Sequence, residues 1–326
     1  MDTGVGRDGN PVIHVLTGVT AVGKTALSLE WADAHHAEII SCDPLLFYRG
    51  MDIGTAKPTP EDRARIRHHL IDIADVDQPL DIRAFVDRAE RAVADIFGRG
   101  KQVLVCGASG FYLQSFYRPV VDSLEIPAAV REAVADALER DGLEGLVAEL
   151  RVLNPAGLGN LDTRNPRRVV RALERCRVSG RDLATLRSEM TSQTNALTRA
   201  RKKTVRLSRK RDDLDRRIRA RVEVMLAAGL VGEVEGLLAK GLARNPSAAR
   251  AVGYRETIAW LRTPGSIADL GEAIAANTRR LVRKQLTWYR SQLIPHRVVE
   301  LQEAGLPDPA SLFASDSAGG GSMLIP

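Results

Sequence analysis

The residues of this chain that are typed and spaced for chemistry begin at Gly18-Val19-Thr20-Ala21-Val22-Gly23-Lys24-Thr25, an unbroken G-x-x-x-x-G-K-T. Its glycines let backbone N–H groups close on an anionic oxygen, Lys24 reaches a terminal phosphate, and the Thr25 hydroxyl suits a bound Mg²⁺. The ligand that such a loop takes is a di- or triphosphate. A second candidate is Asp43, a carboxylate ending the apolar run Glu38-Ile39-Ile40-Ser41-Cys42. It is placed either to take a proton as a general base or to form the turn before Pro44. Thr20 and Ser109 are hydroxyls on turns that follow apolar runs. Each suits a phosphate or nucleotide oxygen, and each is equally a turn former. His68 and His69 lack further metal-type neighbours and read as structural or hydrogen-bonding groups.

These groups need elements to hold them. Val12-Ile13-His14-Val15-Leu16 reads as a buried strand, and Ala26 to Ala32 as a helix, so the loop sits between strand and helix. Residues 38–43 form a second strand that Pro44 stops, followed by a polar loop through Pro58 and a short helix opened by Pro60. Asp81 caps a helix over Ile82–Phe97, and Gln102–Cys106 is a third buried strand. Strands alternating with helices predict an α/β fold, a parallel sheet covered on both faces. Ligands collect at the carboxyl ends of such strands, which brings Thr20, Asp43 and Ser109 to one rim. Beyond Pro119 the character becomes helical: Ala128–Leu153, then a helix opened by Asn165-Pro166 and closed by Ser179-Gly180. Residues 181–203 read as loop, Thr204–Leu207 as a strand rejoining the sheet, and 212–228, 231–239, 250–261 and 267–293 as helices. The expected organisation is a sheet core over residues 1–126 and 196–312, an all-helical insertion over 127–195, and a disordered tail over 313–326.

Composition narrows the partners. The chain has 326 residues and three well-separated cysteines, with no C-x-x-C pair for zinc or redox work. Its first residues lack the basic and apolar regions of a signal peptide, and no apolar run is long enough to cross a membrane. A cytoplasmic monomer is the expectation. The net charge of +6 is unevenly spread: Leu161–Arg221 carries 20 Lys and Arg against 7 Asp and Glu, the remainder 27 against 34. A basic block in a mildly acidic body suits a polyanion such as nucleic acid, or is a solvated helix face. Arg167, Arg168 and Arg171 within it suit backbone phosphates, and Arg255, Lys284 and Arg290 are candidates to join them. Trp288 and Tyr289 are able to stack on a base or to fill the core.

Several stretches together resemble the tRNA dimethylallyltransferases (tRNA isopentenyltransferases). They are Gly18–Thr25, Ile39-Ile40-Ser41 with Asp43, Tyr48–Pro58, His68–Ile73, Arg168 with Arg171-Ala172-Leu173-Glu174, Val252–Arg255 and Lys284–Arg290. The resemblance runs in order over about residues 12 to 300, and its Gly50–Pro58 and Gln285–Arg290 stretches are highly specific. It implies a P-loop core like that of nucleotide kinases, with a helical insertion that grips the tRNA anticodon stem-loop. It implies transfer of the dimethylallyl group from dimethylallyl diphosphate to N6 of the adenine 3′ to the anticodon, in tRNAs reading U-starting codons. By the same resemblance Asp43 is the general base, and Lys24, Thr20 and Ser109 serve the reaction. Gly18 to Thr25 with Arg217 and Arg221 hold the diphosphate, with Mg²⁺ at Thr25. Asp43, Pro44, Leu45, Leu46, Ser109, Arg131, Arg167, Arg168, Arg171, Arg255, Lys284, Trp288 and Arg290 fall where the family meets tRNA.

The chain departs from the family pattern at four places. Pro44 stands where Ser is usual, Leu46 where a Gln often precedes the Tyr, Gly107-Ala108-Ser109-Gly110 where Gly-Gly-Thr-Gly is usual, and Glu256 where Gln is common. Lowered activity or a shifted substrate preference is therefore one expectation. Competing readings are a prenyltransferase acting on free adenine nucleotides, a small-molecule kinase with the same loop, and a tRNA-binding paralogue with weakened catalysis.

Overall fold

In chain order the elements of the computed structural model are β1 (Val12–Gly18), α1 (Lys24–Ala34), β2 (Ala37–Ser41), α2 (Pro60–Arg65), β3 (His68–His69), α3 (Ile82–Gly98), β4 (Gln102–Gly107) and α4 (Gly110–Gln114). After these come α5 (Ala128–Leu153), α6 (Pro166–Ser179), α7 (Leu183–Ser192), α8 (Ala196–Arg199), β5 (Arg201–Ser208) and α9 (Arg211–Ala227). The last are α10 (Leu230–Ala239), α11 (Pro246–Ala249), α12 (Tyr254–Arg262), α13 (Ile267–Gln292) and β6 (Arg297–Glu300). The structure describes residues 11–122, 124–302 and 305–314. It divides into two compact units, one comprising Met1–Tyr117 with Ala196–Pro326, the other Arg118–Asn195.

The first unit is built on a six-stranded sheet of order β3-β2-β4-β1-β5-β6, parallel throughout. β1 is buried at all seven positions, as a strand flanked by neighbours and covered on both faces must be. His14 within it is 1% exposed, its ring 4.7 Å from Trp31 and 4.9 Å from Phe313. Phe313 is thus core, not tail; the tail reading for 315–326 lies outside the described residues. α3 follows its sequence signature: the Asp81 carboxylate accepts from Ala84 N–H, and Phe85, Val86, Ala89, Val93 and Ile96 face inward. At the sheet edge Glu38, 1% exposed, pairs with Arg99, with Lys101 at 2.9 Å and with His69 Nε2 at 2.7 Å. His69 is therefore a structural hydrogen-bonding residue, as its isolation from metal-type neighbours suggested.

The second unit packs α5 against α6 and α7 around Val134, Leu146, Leu150, Val169, Leu173 and Leu186. Gly142, at φ +68°, breaks α5 into two helical segments. Asn154 is buried; its Nδ2 donates to Leu150 O at 2.7 Å and its Oδ1 accepts from Leu183 N–H at 2.6 Å. Two expectations are corrected. Residues 181–203 are not loop: the Asp182 carboxylate caps α7 through Thr185 N–H, and α8 leads into a strand starting at Arg201. The helix expected from Arg250 starts at Tyr254, because Gly253 (φ +94°) separates it from α11. β3 and β6, two and four residues long, are too short to leave a periodic signal.

Candidate active site

The phosphate loop hangs between β1 and α1. Gly18 has φ +147°, and a Cβ there would meet Leu207 O at 2.7 Å, so only glycine fits beside β5. Gly23, at φ +108°, forms the N-cap of α1, and Ala21 also takes positive φ, at +66°. Lys24 Nζ donates to Gly18 O and Val19 O, each at 2.9 Å, folding the side chain back over its own loop. Two arginines of the basic block brace the loop from outside: Arg217 Nε donates to Ala21 O at 2.9 Å and Arg209 Nε to Val22 O at 2.8 Å. α13 braces it from the other side. Gln285 Oε1 accepts from Thr20 N–H at 2.9 Å, and its Nε2 donates to Thr20 Oγ1 at 3.3 Å. The Tyr289 hydroxyl lies 2.8 Å from Thr17 Oγ1 and accepts from Gly18 N–H at 3.3 Å.

A cleft of about 540 Å³ opens over this loop at the carboxyl ends of β1, β2 and β4. Its wall includes Thr20, Ala21, Gly23, Lys24, Thr25, Asp43, Leu46, Arg217 and Arg221. Asp43 follows β2 and accepts from Leu45 N–H at 3.1 Å. Burial raises its pKa above the ordinary carboxylate value, against the Leu45 hydrogen bond and the charges of Lys24 and Arg221. Burial also lowers the Lys24 ammonium to about 8, against the attraction of Asp43. Arg221, its pKa lowered by burial, donates from Nη2 to Thr55 O at 3.0 Å. One carboxylate and three cations, Lys24, Arg217 and Arg221, thus share a half-buried wall. Such a wall withdraws charge from a bound polyanion and leaves an acceptor for a proton.

Gly18, Val19 and Val22 stand behind this wall as the loop's backbone frame, and Val19 and Val22 are buried. Pro44, Leu45 and Ser109 do not line it. Ser109 sits at the N-cap of α4 without a side-chain capping bond, and Trp288 packs over the adjoining Gly110, where a Cβ would meet the indole at 2.3 Å. Of the two uses open to Tyr289, base stacking or core, the structure shows core: it is 2% exposed with its hydroxyl spent on β1. Lys284 and Arg290 are exposed on α13. Arg255 is exposed at the start of α12 and donates to Glu256 at 2.5 Å. In the second unit Arg131, Arg167, Arg168 and Arg171 are all exposed, the last three on one helix, α6.

Some participants escaped sequence reasoning. Gln285 lies in a family-like stretch that by itself points to no role; its spacing of four from Tyr289 places the two on one helix face. Cys106 lines the cleft, its thiol raised by burial and hydrogen-bonded with Ser28. Thr55, Ala56 and Pro58 form the far wall, which accounts for part of the Tyr48–Pro58 stretch.

Comparison with known proteins agrees with this geometry. The sequence pattern of the IPP transferase family matches residues 46–292. A tRNA dimethylallyltransferase of Opitutus terrae is 52% identical over 303 residues, covering 93% of this chain and 97% of that one. The crystal structure of a tRNA delta(2)-isopentenylpyrophosphate transferase from Staphylococcus epidermidis superposes with a TM-score of 0.61 at 30% identity, over 89% of this chain and 93% of that one. A eukaryotic dimethylallyltransferase acting on tRNA shares the fold, with a TM-score of 0.74 at 24% identity over 85% of this chain and 69% of that one. A chain with this loop, this cleft and these relatives belongs to the IPP transferase family.

Proposed function

We infer that this protein is a tRNA dimethylallyltransferase that moves the dimethylallyl group of dimethylallyl diphosphate onto N6 of the adenine 3′ to the anticodon. The observation that carries the mechanism is the sharing of one cleft by the phosphate loop, Arg217, Arg221 and Asp43. The diphosphate lies against the loop's N–H groups, Lys24 and the two arginines, which draw off charge as the allylic C1–O bond breaks. The bond from N6 to C1 forms, and the N6 proton passes to Asp43, whose raised pKa makes it the stronger base. Diphosphate departs. Thr20, held by Gln285, offers its hydroxyl at the same wall; Ser109, outside it, is reserved for the nucleotide side.

Thr25 presents a hard oxygen donor on the cleft wall, and among the described residues no group of three or more His, Cys, Asp or Glu forms a metal cage. That sparse set fits Mg²⁺, which takes most of its ligands from phosphate oxygens and water, and which supplies charge neutralisation of the diphosphate when bound. The exposed arginines of α6, with Arg131, Arg255, Lys284, Trp288 and Arg290, are assigned to the anticodon stem-loop, and the adenine must leave its stack to reach Asp43. Among the described residues no helix is long and apolar enough to cross a membrane, in keeping with action on tRNA in the cytoplasm.

The deciding experiment incubates the protein with Mg²⁺, labelled dimethylallyl diphosphate and unmodified tRNA reading a U-starting codon, with free AMP in parallel. Label on tRNA alone, abolished by Asp43→Asn, is expected. Label on AMP alone assigns a free-nucleotide enzyme, ATP turnover a kinase, and tRNA binding without transfer a weakened paralogue.

A further inference from the structure

The Tyr48–Pro58 stretch is too polar and too specific to be only a wall. Within it the N–H groups of Asp52, Ile53 and Gly54 converge on a single carboxylate, that of Glu233 on α10, at 2.9, 2.6 and 3.1 Å. The Tyr254 hydroxyl donates to the same carboxylate at 2.7 Å. Its ring closes on Gly54, where a Cβ would lie 2.6 Å from it, so the turn and α12 are fitted to one another. Behind the turn Lys57 Nζ, its side chain 3% exposed, bonds Tyr48 O at 2.9 Å, Asp52 at 2.6 Å and Asp72 at 2.6 Å. Consecutive N–H groups pointing one way form a concave anion site, and here the chain fills that site itself. Immediately after the turn, Thr55 O accepts from Arg221 in the cleft.

We propose that Glu233 is a positioning residue for the diphosphate: by clamping the Asp52–Gly54 turn it sets the Thr55 carbonyl, and through it the Arg221 guanidinium. The clamp rests on the reading of the cleft given above. It acts on the donor side, because the hydrogen bonds of Glu233 go to the Asp52–Gly54 turn and to Tyr254, and none goes to an arginine side chain assigned to RNA. Loss of the charge-assisted bonds lets the turn relax, and Arg221 then has to be ordered by the ligand at the ligand's cost.

Glu233→Gln keeps the side-chain volume while removing the charge and placing an NH₂ against backbone N–H groups. It is expected to raise the KM for dimethylallyl diphosphate about tenfold, with kcat changed less and tRNA affinity unchanged. The same substitution in an Arg221→Ala background is expected to add almost nothing, since its effect runs through that arginine. Tyr254→Phe, which leaves three of the four donors, gives a smaller effect of the same kind. Binding of inorganic diphosphate with Mg²⁺, followed by calorimetry in the same variants, tests the clamp apart from the reaction: absence of transfer by the wild-type protein refutes the functional reading, while the clamp is judged on diphosphate affinity. Unchanged donor KM and diphosphate affinity in Glu233→Gln, or effects that multiply with Arg221→Ala, overturn it. Thermal melts of each variant separate this result from unfolding, and a matching loss of tRNA affinity counts against it.

Discussion

Raising the pH from 7 to 9 tests whether the Lys24 ammonium is the group that receives the diphosphate. Burial lowers that ammonium to about 8, so it is about nine-tenths charged at pH 7 and one-tenth charged at pH 9. If the charged form alone binds the donor, kcat/KM for dimethylallyl diphosphate falls about tenfold over this interval. Once the donor is bound, its phosphates favour the ammonium and hold the proton on, so kcat stays level across the same range. The two parameters therefore part company above pH 8. On the acid side the sign reverses: kcat/KM climbs with pH as Asp43, raised above the ordinary carboxylate value, gives up its proton. Initial rates with labelled donor at saturating tRNA, from pH 5 to 9.5, read both limbs. Lys24→Arg provides the control, because a guanidinium keeps its charge and erases the alkaline fall at whatever baseline it supports. A wild-type kcat/KM that is flat from pH 7 to 9.5, or an unchanged fall in Lys24→Arg, refutes the reasoning.

Three further outcomes follow from other parts of the molecule. Gly110→Ala drives a methyl into the Trp288 indole; it is expected to cost about 1–3 kcal/mol in urea unfolding and to shift the Trp288 emission, and an unchanged spectrum and midpoint would contradict the packing. Arg171→Ala is expected to weaken tRNA binding while lowering the slope of log K against log salt by about 1, leaving the donor KM alone; an unaltered slope removes that arginine from the interface. Glu38 is held well below the ordinary carboxylate range, first by Arg99, so its contribution to stability is present above about pH 4.5 and drains away as acid protonates it. Glu38→Gln is accordingly expected to lose about 1–3 kcal/mol at pH 7 and to show a shallower decline than wild type between pH 5 and 3, both read by urea titration.

What the sequence disclosed and what it withheld divide along a physical line. The phosphate loop was legible because glycines at Gly18 and Gly23 are demanded by backbone geometry that other residues cannot adopt. The inner strands were legible because continuous apolar runs have few other uses. Asp43 could be placed at the rim from the end of its strand alone. Unread were features that depend on distant partners. β3 and β6 owe their existence to neighbouring edges rather than to their own residues. Residues 181–203 are polar on their surface yet cap and bury enough, through Asp182, Leu186 and Leu197, to hold two helices. Tyr289 was open to either a base or the core, and its burial with the 2.8 Å approach to Thr17 decided the matter. Glu233 carried no signal at all, since a glutamate on a helix is ordinarily solvated.

The place of β1 between β4 and β5 has a bearing on biosynthesis. One neighbour of this innermost strand emerges from the ribosome some ninety residues after it, the other nearly two hundred after it. At about 5–20 residues per second, roughly 10–40 s pass between completion of β1 and completion of β5. Throughout that interval an apolar strand presents an open edge, the arrangement most prone to pairing with another chain. The helix that ties down the phosphate loop is made later still. Newly made protein is thus exposed longest at the strand that carries its phosphate loop, the segment where edge pairing with another chain would cost most.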